Sequence, residues 1–335
     1  MRLLFYILIF ILLSATSAYS QDIHFSQIFN SPLNLNPANT GAYNSDYRLV
    51  LNHRNQWNSF TNAYSTMSAS FEYKRKSKIK LLDNAGIGFL INNDRAGDGN
   101  LATTGFHIPI AGTRKFLDSN LELSAGIMAG FNQLSIDFNN FYFGTQFDGN
   151  VYNPDLPSYE SLEQEKFIYF DLSAGVSASY NINKFKITSG ISLYHLNQPS
   201  VSFLLSPSIM RSLQSTYMMV NYAANSIYNL SFSYINRMQG SYRENLFGSL
   251  VTIRNNNVLF HSFSAGVFFR NKDAVILMTH INVNDIQIGL SYDINISELS
   301  NASKGRGGFE FSLIYLMSFT KPSFYYPPKP CPDFI

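Results

Sequence analysis

Side chains able to do chemistry are sparse in this 335-residue chain and stand far apart. The six histidines, His24, His53, His107, His195, His261 and His280, include no pair at a metal-ligand spacing. A lipase-like Ser–His pair assembled from distant strands would need a landmark such as a G-x-S-x-G elbow, and the sequence contains none. "NDRAGDGN", 93–100, has the oxygen-rich composition of a calcium loop. It lacks the EF-hand spacing and the closing glutamate, so it reads as a Gly/Asp turn. The one cysteine, Cys331, excludes an intramolecular disulfide framework. A net charge of +2 gives no basic footprint for nucleic acid. These residues point to no catalytic group, no metal and no cofactor, and hence to a protein that works by shape and surface rather than by catalysis.

The elements that carry these side chains follow from composition and period. Charged residues make up only 14% of the chain and aromatics 15%, with 29 Phe and 21 Tyr; about a quarter charged is usual for a soluble domain. In "FIYFDLSAGVSASY" the even positions Ile168, Phe170, Leu172, Ala174, Val176, Ala178 and Tyr180 are apolar. The odd positions Asp171, Ser173, Gly175, Ser177 and Ser179 are polar or small. "DIQIGLSYDINI" and "LELSAGIMAGF" repeat the pattern. Period-2 runs of this length exceed the ordinary strand of ~5–6 residues. A soluble sandwich would crowd its polar face with Lys, Glu and Arg; here that face is mainly Ser, Gly, Thr and Asn, with few charges. Small polar residues inside and aliphatics outside, tipped by Tyr and Phe, specify an all-β fold, a transmembrane antiparallel barrel. Closure satisfies every backbone group in lipid.

Such segments number about fourteen, starting near Tyr47, Thr61, Leu82, Gly99, Asn120, Lys166, Lys184, Gln214, Ser226, Glu244, Val258, Asp273, Asp285 and Gly307. Connections assigned to the periplasm are short and Asn-rich, as at 181–183, 255–257 and 284–285. Most of those assigned outside are long, as at 135–165, 197–213 and 296–306. Residues 1–20 combine Arg2, a short apolar run from Leu3 to Leu13 and small residues up to Ser20, the pattern of a signal peptide cleaved near Ser20. The domain reading is therefore 1–20 signal peptide, 21–46 periplasmic or lumenal segment, 47–320 barrel and 321–335 Pro-rich periplasmic tail. The last strand ends on the aromatic Phe319. The tail beyond it is either a disordered end or a docking strip, and the basic "KRKSKIK" at 74–80 either a solvated turn or a holder of an acidic partner.

"FSQIFNSPLNLNPANTG", 25–41, followed by "YRLVLNHRNQW", 47–57, resembles the start of the PorP/SprF family of type IX secretion system membrane proteins. The matching positions are Phe25, Ser26 and Gln27; Leu35, Asn36, Pro37, Ala38 and Gly41; and Arg54, Gln56 and Trp57, the only tryptophan. "GLSYDINISELSNASKGRGGFEFSLIY", 289–315, is similar to the family's final hairpin, and "PCPDFI" to the ending of its SprF-type branch. The resemblance implies an outer-membrane barrel in the export and gliding machinery of Bacteroidetes-type bacteria. It also implies partners: outer-membrane lipid, a large secreted surface adhesin with a C-terminal sorting domain, and periplasmic ring or peptidoglycan-tethering lipoproteins.

From the residues themselves, 21–46 is expected to cap or plug the inner mouth of the barrel. Asn36-Pro37 sets a turn, since a residue before proline avoids the helical region, and Gly41 supplies the positive φ needed to leave it. Arg54, too costly to face lipid, either pairs with an inward carboxylate such as Asp171 or Asp293 or packs in the wall. The competing reading is a passive channel or hydrophobic-solute transporter of the same shape. A lipid hydrolase would require a Ser–His pair near one membrane interface.

Overall fold

A computed structural model describes residues 22–319, apart from 57–63, 98, 139–140, 154, 158–164, 203–207, 256–259 and 299. The stretch expected to be a signal peptide, Trp57, Cys331 and the Pro-rich tail lie outside the described residues. Fourteen strands form: β1 (Tyr47–Gln56), β2 (Tyr64–Lys76), β3 (Asn84–Ala96), β4 (Leu101–Phe116), β5 (Leu121–Ser135), β6 (Lys166–Ile182), β7 (Phe185–Tyr194), β8 (Leu213–Ala223), β9 (Tyr228–Gln239), β10 (Tyr242–Arg254), β11 (Ser262–Arg270), β12 (Ala274–Val283), β13 (Ile286–Asn295) and β14 (Arg306–Met317). Each pairs antiparallel with its sequence neighbours, and β1 closes on β14 with Tyr47 opposite Met317. Every strand starts within four residues of the position read from the alternation. Among the described residues no helix is long and apolar enough to cross a membrane.

The alternation sorts as the period requires. Ile127, Phe131, Ile168, Val176, Leu290 and Tyr292 are exposed on the outer wall, whereas Asp171, Ser173, Ser291 and Asp293 are buried on the inner one. The turns at 117–120, 183–184 and 284–285 mark one end of the barrel, and the connections 136–165, 195–212 and 296–305 mark the other. Barrels of this kind keep short turns periplasmic and long loops outside. Phe319 sits at the short-turn end, edge-on to Tyr47 at 5.4 Å, its N–H bonded to Asp46 at 3.0 Å.

The core is the lumen, and residues 22–41 fill it. This segment contains only single helical turns: Ile28–Asn30, Pro32–Leu35 and Pro37–Asn39. Its Phe25, Ile28 and Leu35 pack against the inner faces of β8–β12, on Tyr217, Ile235, Leu246, Phe268, Ile276 and Met278. Leu33 packs on the opposite side with Leu90, Met128, Tyr194 and Leu213. Two corrections to the expectations follow. The segment is not confined to the inner mouth: Asp22 lies beside His195, at the long-loop end, and Gly41 beside Glu72, near the short turns, so the chain runs the length of the lumen. The inner wall is also less uniform than Ser, Gly and Asn, because β8–β12 present an apolar stripe and charged residues such as Arg48, Arg54, Glu72, Arg270, Asp293 and Glu310 are buried on it.

Candidate functional site: the plugged lumen

Four groups of wall residues hold the plug. At the long-loop end, Asp22 Oδ2 lies 2.9 Å from His195 Nε2, and His195 Nδ1 lies 2.9 Å from Asp171 Oδ1. Burial disfavours the imidazolium, but the Asp22 carboxylate and the hydrogen bonds to Asp171 and Asp22 outweigh it and carry His195 up to about 10. Burial would likewise raise Asp22, but the His195 charge and hydrogen bond and the Arg237 charge hold it down at about 2. The pair is therefore ionic.

The second group centres on Ser26. Glu310 accepts the N–H of Ser26 at 2.7 Å and that of Gln27 at 2.8 Å. Ser26 Oγ donates to Asp293 at 2.8 Å and accepts from Arg270 Nη2 at 2.6 Å. Arg54, 1% exposed, donates to Asp293 at 2.9 Å and to the His24 carbonyl at 3.2 Å. Of the two carboxylates weighed for Arg54, Asp293 is its partner. Asp171 belongs to His195 instead.

The third group is neutral. Gln27 and Asn30 bond to Ser312, and Asn34 bonds to Ser68. Asn36 is extended (φ −164°, ψ 127°) before Pro37, and its side-chain oxygen caps the next turn by accepting from Ala38 N. Its amide donates to the carbonyls of Val176 and Ile191, at 3.0 and 3.2 Å. The fourth group closes the short-turn end. Gly41, at φ 74°, donates its N–H to Glu72 at 3.0 Å, and Arg48 grips Glu72 with two bonds of 2.7 and 2.9 Å while reaching the Asn39 carbonyl at 3.0 Å.

The wall also makes room. A Cβ on Gly86 would stand 2.6 Å from the Thr40 carbonyl oxygen, and one on Gly126 2.6 Å from that of Pro37. Only glycine lets β3 and β5 approach the plug backbone so closely. A Cβ at Gly175 or Gly289 would meet the amide oxygen of Asn36 or Gln27. At the long-loop end a small cavity of about 50 Å³, partly open to solvent, is lined by residues that include Asn92, His107, Tyr169, His195 and Arg237.

The residues singled out in the sequence thus divide. Phe25, Ser26, Gln27, Asn36, Pro37 and Gly41 belong to the plug; Arg54 is on the wall facing it; and Gln56 ends β1 opposite Tyr64 and Gly308. Missed were Arg48, Glu72, Arg237, Glu244, Arg270 and Glu310. The available signal was parity: each lies on the inward register of its strand, where a charge needs a partner. Among the described residues no group of His, Cys, Asp and Glu is placed to hold a metal ion.

Solved structures with the same architecture include the toluene transporter TbuX of Ralstonia pickettii, 11% identical over 85% of this chain and 92% of that one, with a TM-score of 0.50. A ΔS2S3 mutant of the monoaromatic hydrocarbon channel TodX is 10% identical over 87% and 94%, at 0.53. The monoaromatic hydrocarbon channel CymD is 12% identical over 87% and 93%, at 0.52. At such identities the likeness is one of fold alone. No curated protein matches the chain. The family model described as "Type IX secretion system membrane protein PorP/SprF" matches residues 17–315, which span the plug and nearly all of the barrel. The chain belongs to the PorP/SprF family of type IX secretion system membrane proteins.

Proposed function

We propose that this barrel is a non-enzymatic outer-membrane component that assists the export, or the retention at the surface, of large adhesin-type proteins with C-terminal sorting domains. Its partners in this reading are outer-membrane lipid, the secreted adhesin, and periplasmic ring or peptidoglycan-tethering lipoproteins of the gliding machinery. Residues 1–20 act as a signal peptide removed near Ser20, and 321–335 as a periplasmic tail. The supporting observation, beside family membership, is a lumen occupied from end to end by a bonded plug. Such a lumen suits a platform for polypeptides better than an open pore. The test is a gentle-detergent pull-down from the native outer membrane, with the tag in the 136–165 loop and partners identified by mass spectrometry. Recovery of a large surface protein with a sorting domain, together with periplasmic lipoproteins, is the expected result. A barrel recovered without partners would overturn it.

A second reading, a channel for hydrophobic solutes, is favoured by the apolar stripe inside β8–β12 and by the fold shared with hydrocarbon channels. It predicts flux of an apolar solute into liposomes carrying the intact protein.

A further inference from the structure

Beside the bonds to plug side chains, the wall grips the plug's main chain at several points. Glu310 takes two consecutive backbone N–H groups, of Ser26 and Gln27. Arg237 donates to the Ile23 carbonyl at 3.0 Å and Arg54 to that of His24 at 3.2 Å. Tyr194 donates to the Leu33 carbonyl at 3.0 Å, and Arg48 to that of Asn39 at 3.0 Å. None of these bonds depends on which side chain the plug residue carries. The plug's apolar side chains are buried largely by the wall, on either side of the lumen. Gly86 and Gly126 clear space for backbone carbonyls rather than for side chains.

We infer that the lumen is a polypeptide-binding site, in which residues 22–41 are the resident occupant and a short segment of the exported client is the exchanging one. This rests on the export reading for the identity of the client, not for the existence of the site. The class of ligand is set by the wall. It is a stretch of short turns carrying aromatic or aliphatic anchors at spacings like those of Phe25, Ile28 and Leu35, with a carboxylate at its start to meet His195 as Asp22 does. The rest of it is uncharged, because other wall charges already stand in pairs such as Arg54–Asp293 and Arg48–Glu72.

The test uses the full chain with a specific protease site inserted between Ala42 and Asn44, cut after the barrel has folded. Before cutting, the tether holds the plug at an effective concentration in the mM range, which hides exchange. After cutting, a fluorescent peptide with the sequence of residues 22–41 is expected to exchange with the resident segment and saturate. N-methylation at Ser26 and Gln27 removes two buried hydrogen bonds to Glu310 and is expected to weaken the peptide at least about 100-fold. The peptide with Ile23→Ala and His24→Ala keeps both carbonyls and is expected to lose under about 10-fold. Against a Glu310→Ala barrel the N-methyl penalty should shrink to under about 10-fold. No exchange from a barrel with native heat-modifiable gel mobility would overturn the inference, as would N-methyl peptides that bind as well as the parent, or displacement of the segment by a hydrocarbon but not by peptide. If peptides exchange as expected while pull-downs recover no client, the export reading fails and the peptide site stands.

Discussion

Adding one methyl group to the wall at Gly126 should loosen the plug without opening the barrel. The new Cβ would lie 2.6 Å from Pro37 O, 2.7 Å from Pro37 C and 2.8 Å from Ala38 N. All three are backbone atoms, so no side chain can rotate aside. Ordinary contact requires the turn to retreat by roughly 0.7 Å, and overpacking of this kind costs about 1–3 kcal/mol. A retreat of that size stretches the Asn36 amide bond to the Val176 carbonyl, now 3.0 Å, beyond hydrogen-bond range. Its loss adds about 1 kcal/mol. A total of about 2–4 kcal/mol raises the fraction of molecules with the plug out by roughly 30- to 1,000-fold. Gly86→Ala crowds the far side of the same turn, with Thr40 O at 2.6 Å and Gly41 Cα at 2.9 Å. The two substitutions act on one element, so their effects should not simply add. The assay is chymotrypsin cleavage at Phe25, Phe29, Leu33 and Leu35, which are reachable only with the plug out, so the rate follows the open population. Gly144→Ala, with nothing within 4 Å, is the control. Cleavage of Gly126→Ala within twofold of wild type, in a barrel of native gel mobility, would show that the turn at Pro37 does not press on β5.

Asn36→Ala deletes two amide bonds to the wall and a cap, and should raise the same cleavage rate by about 10- to 100-fold. Arg48→Ala and Glu72→Ala should each cost about 3–5 kcal/mol in urea unfolding in micelles, because each leaves a buried charge alone. The double variant should cost less than the sum, as a double-mutant cycle will show. At the other end, the raised His195 contributes stability fully below pH 6.5 and loses it as pH rises through about 10, whereas the lowered Asp22 contributes above pH 3.8 and loses it as pH falls through about 2. The latch is therefore strongest between pH 3.8 and 6.5. Histidine NMR should find His195 titrating near pH 10, and lower in Asp22→Asn; a wild-type midpoint at or below 6.5 would contradict the ionic latch.

The strands were legible because the membrane wall imposes a strict period of two, and a run such as Ile168 to Tyr180 has no other solution. The plug was legible only as an irregular segment. Its Asn36-Pro37 and Gly41 conformations are local and follow from residue type, but its path from His195 to Glu72 depends on closure, which no local pattern encodes. Parity places Glu310 and Arg270 inside, yet pairing Ser26 with Glu310, 284 residues away, requires the closed β1–β14 seam. The apolar inner stripe on β8–β12 was obscured for a related reason. In "AVILMTH" the inward Ala274, Ile276 and Met278 are as apolar as the outward Leu277, so the alternation fades where the plug supplies the greasy partner.

Whether the plug closes the lumen can be read from ion conductance across a planar bilayer, comparing the intact chain with the same chain cut in the 42–44 linker and stripped of its plug by mild denaturant. The intact protein should give no steady conductance above the bare membrane, and cutting should give a steady pore that closes when the 22–41 peptide is restored. A steady open pore from the intact, folded chain would show that the plug does not seal the barrel.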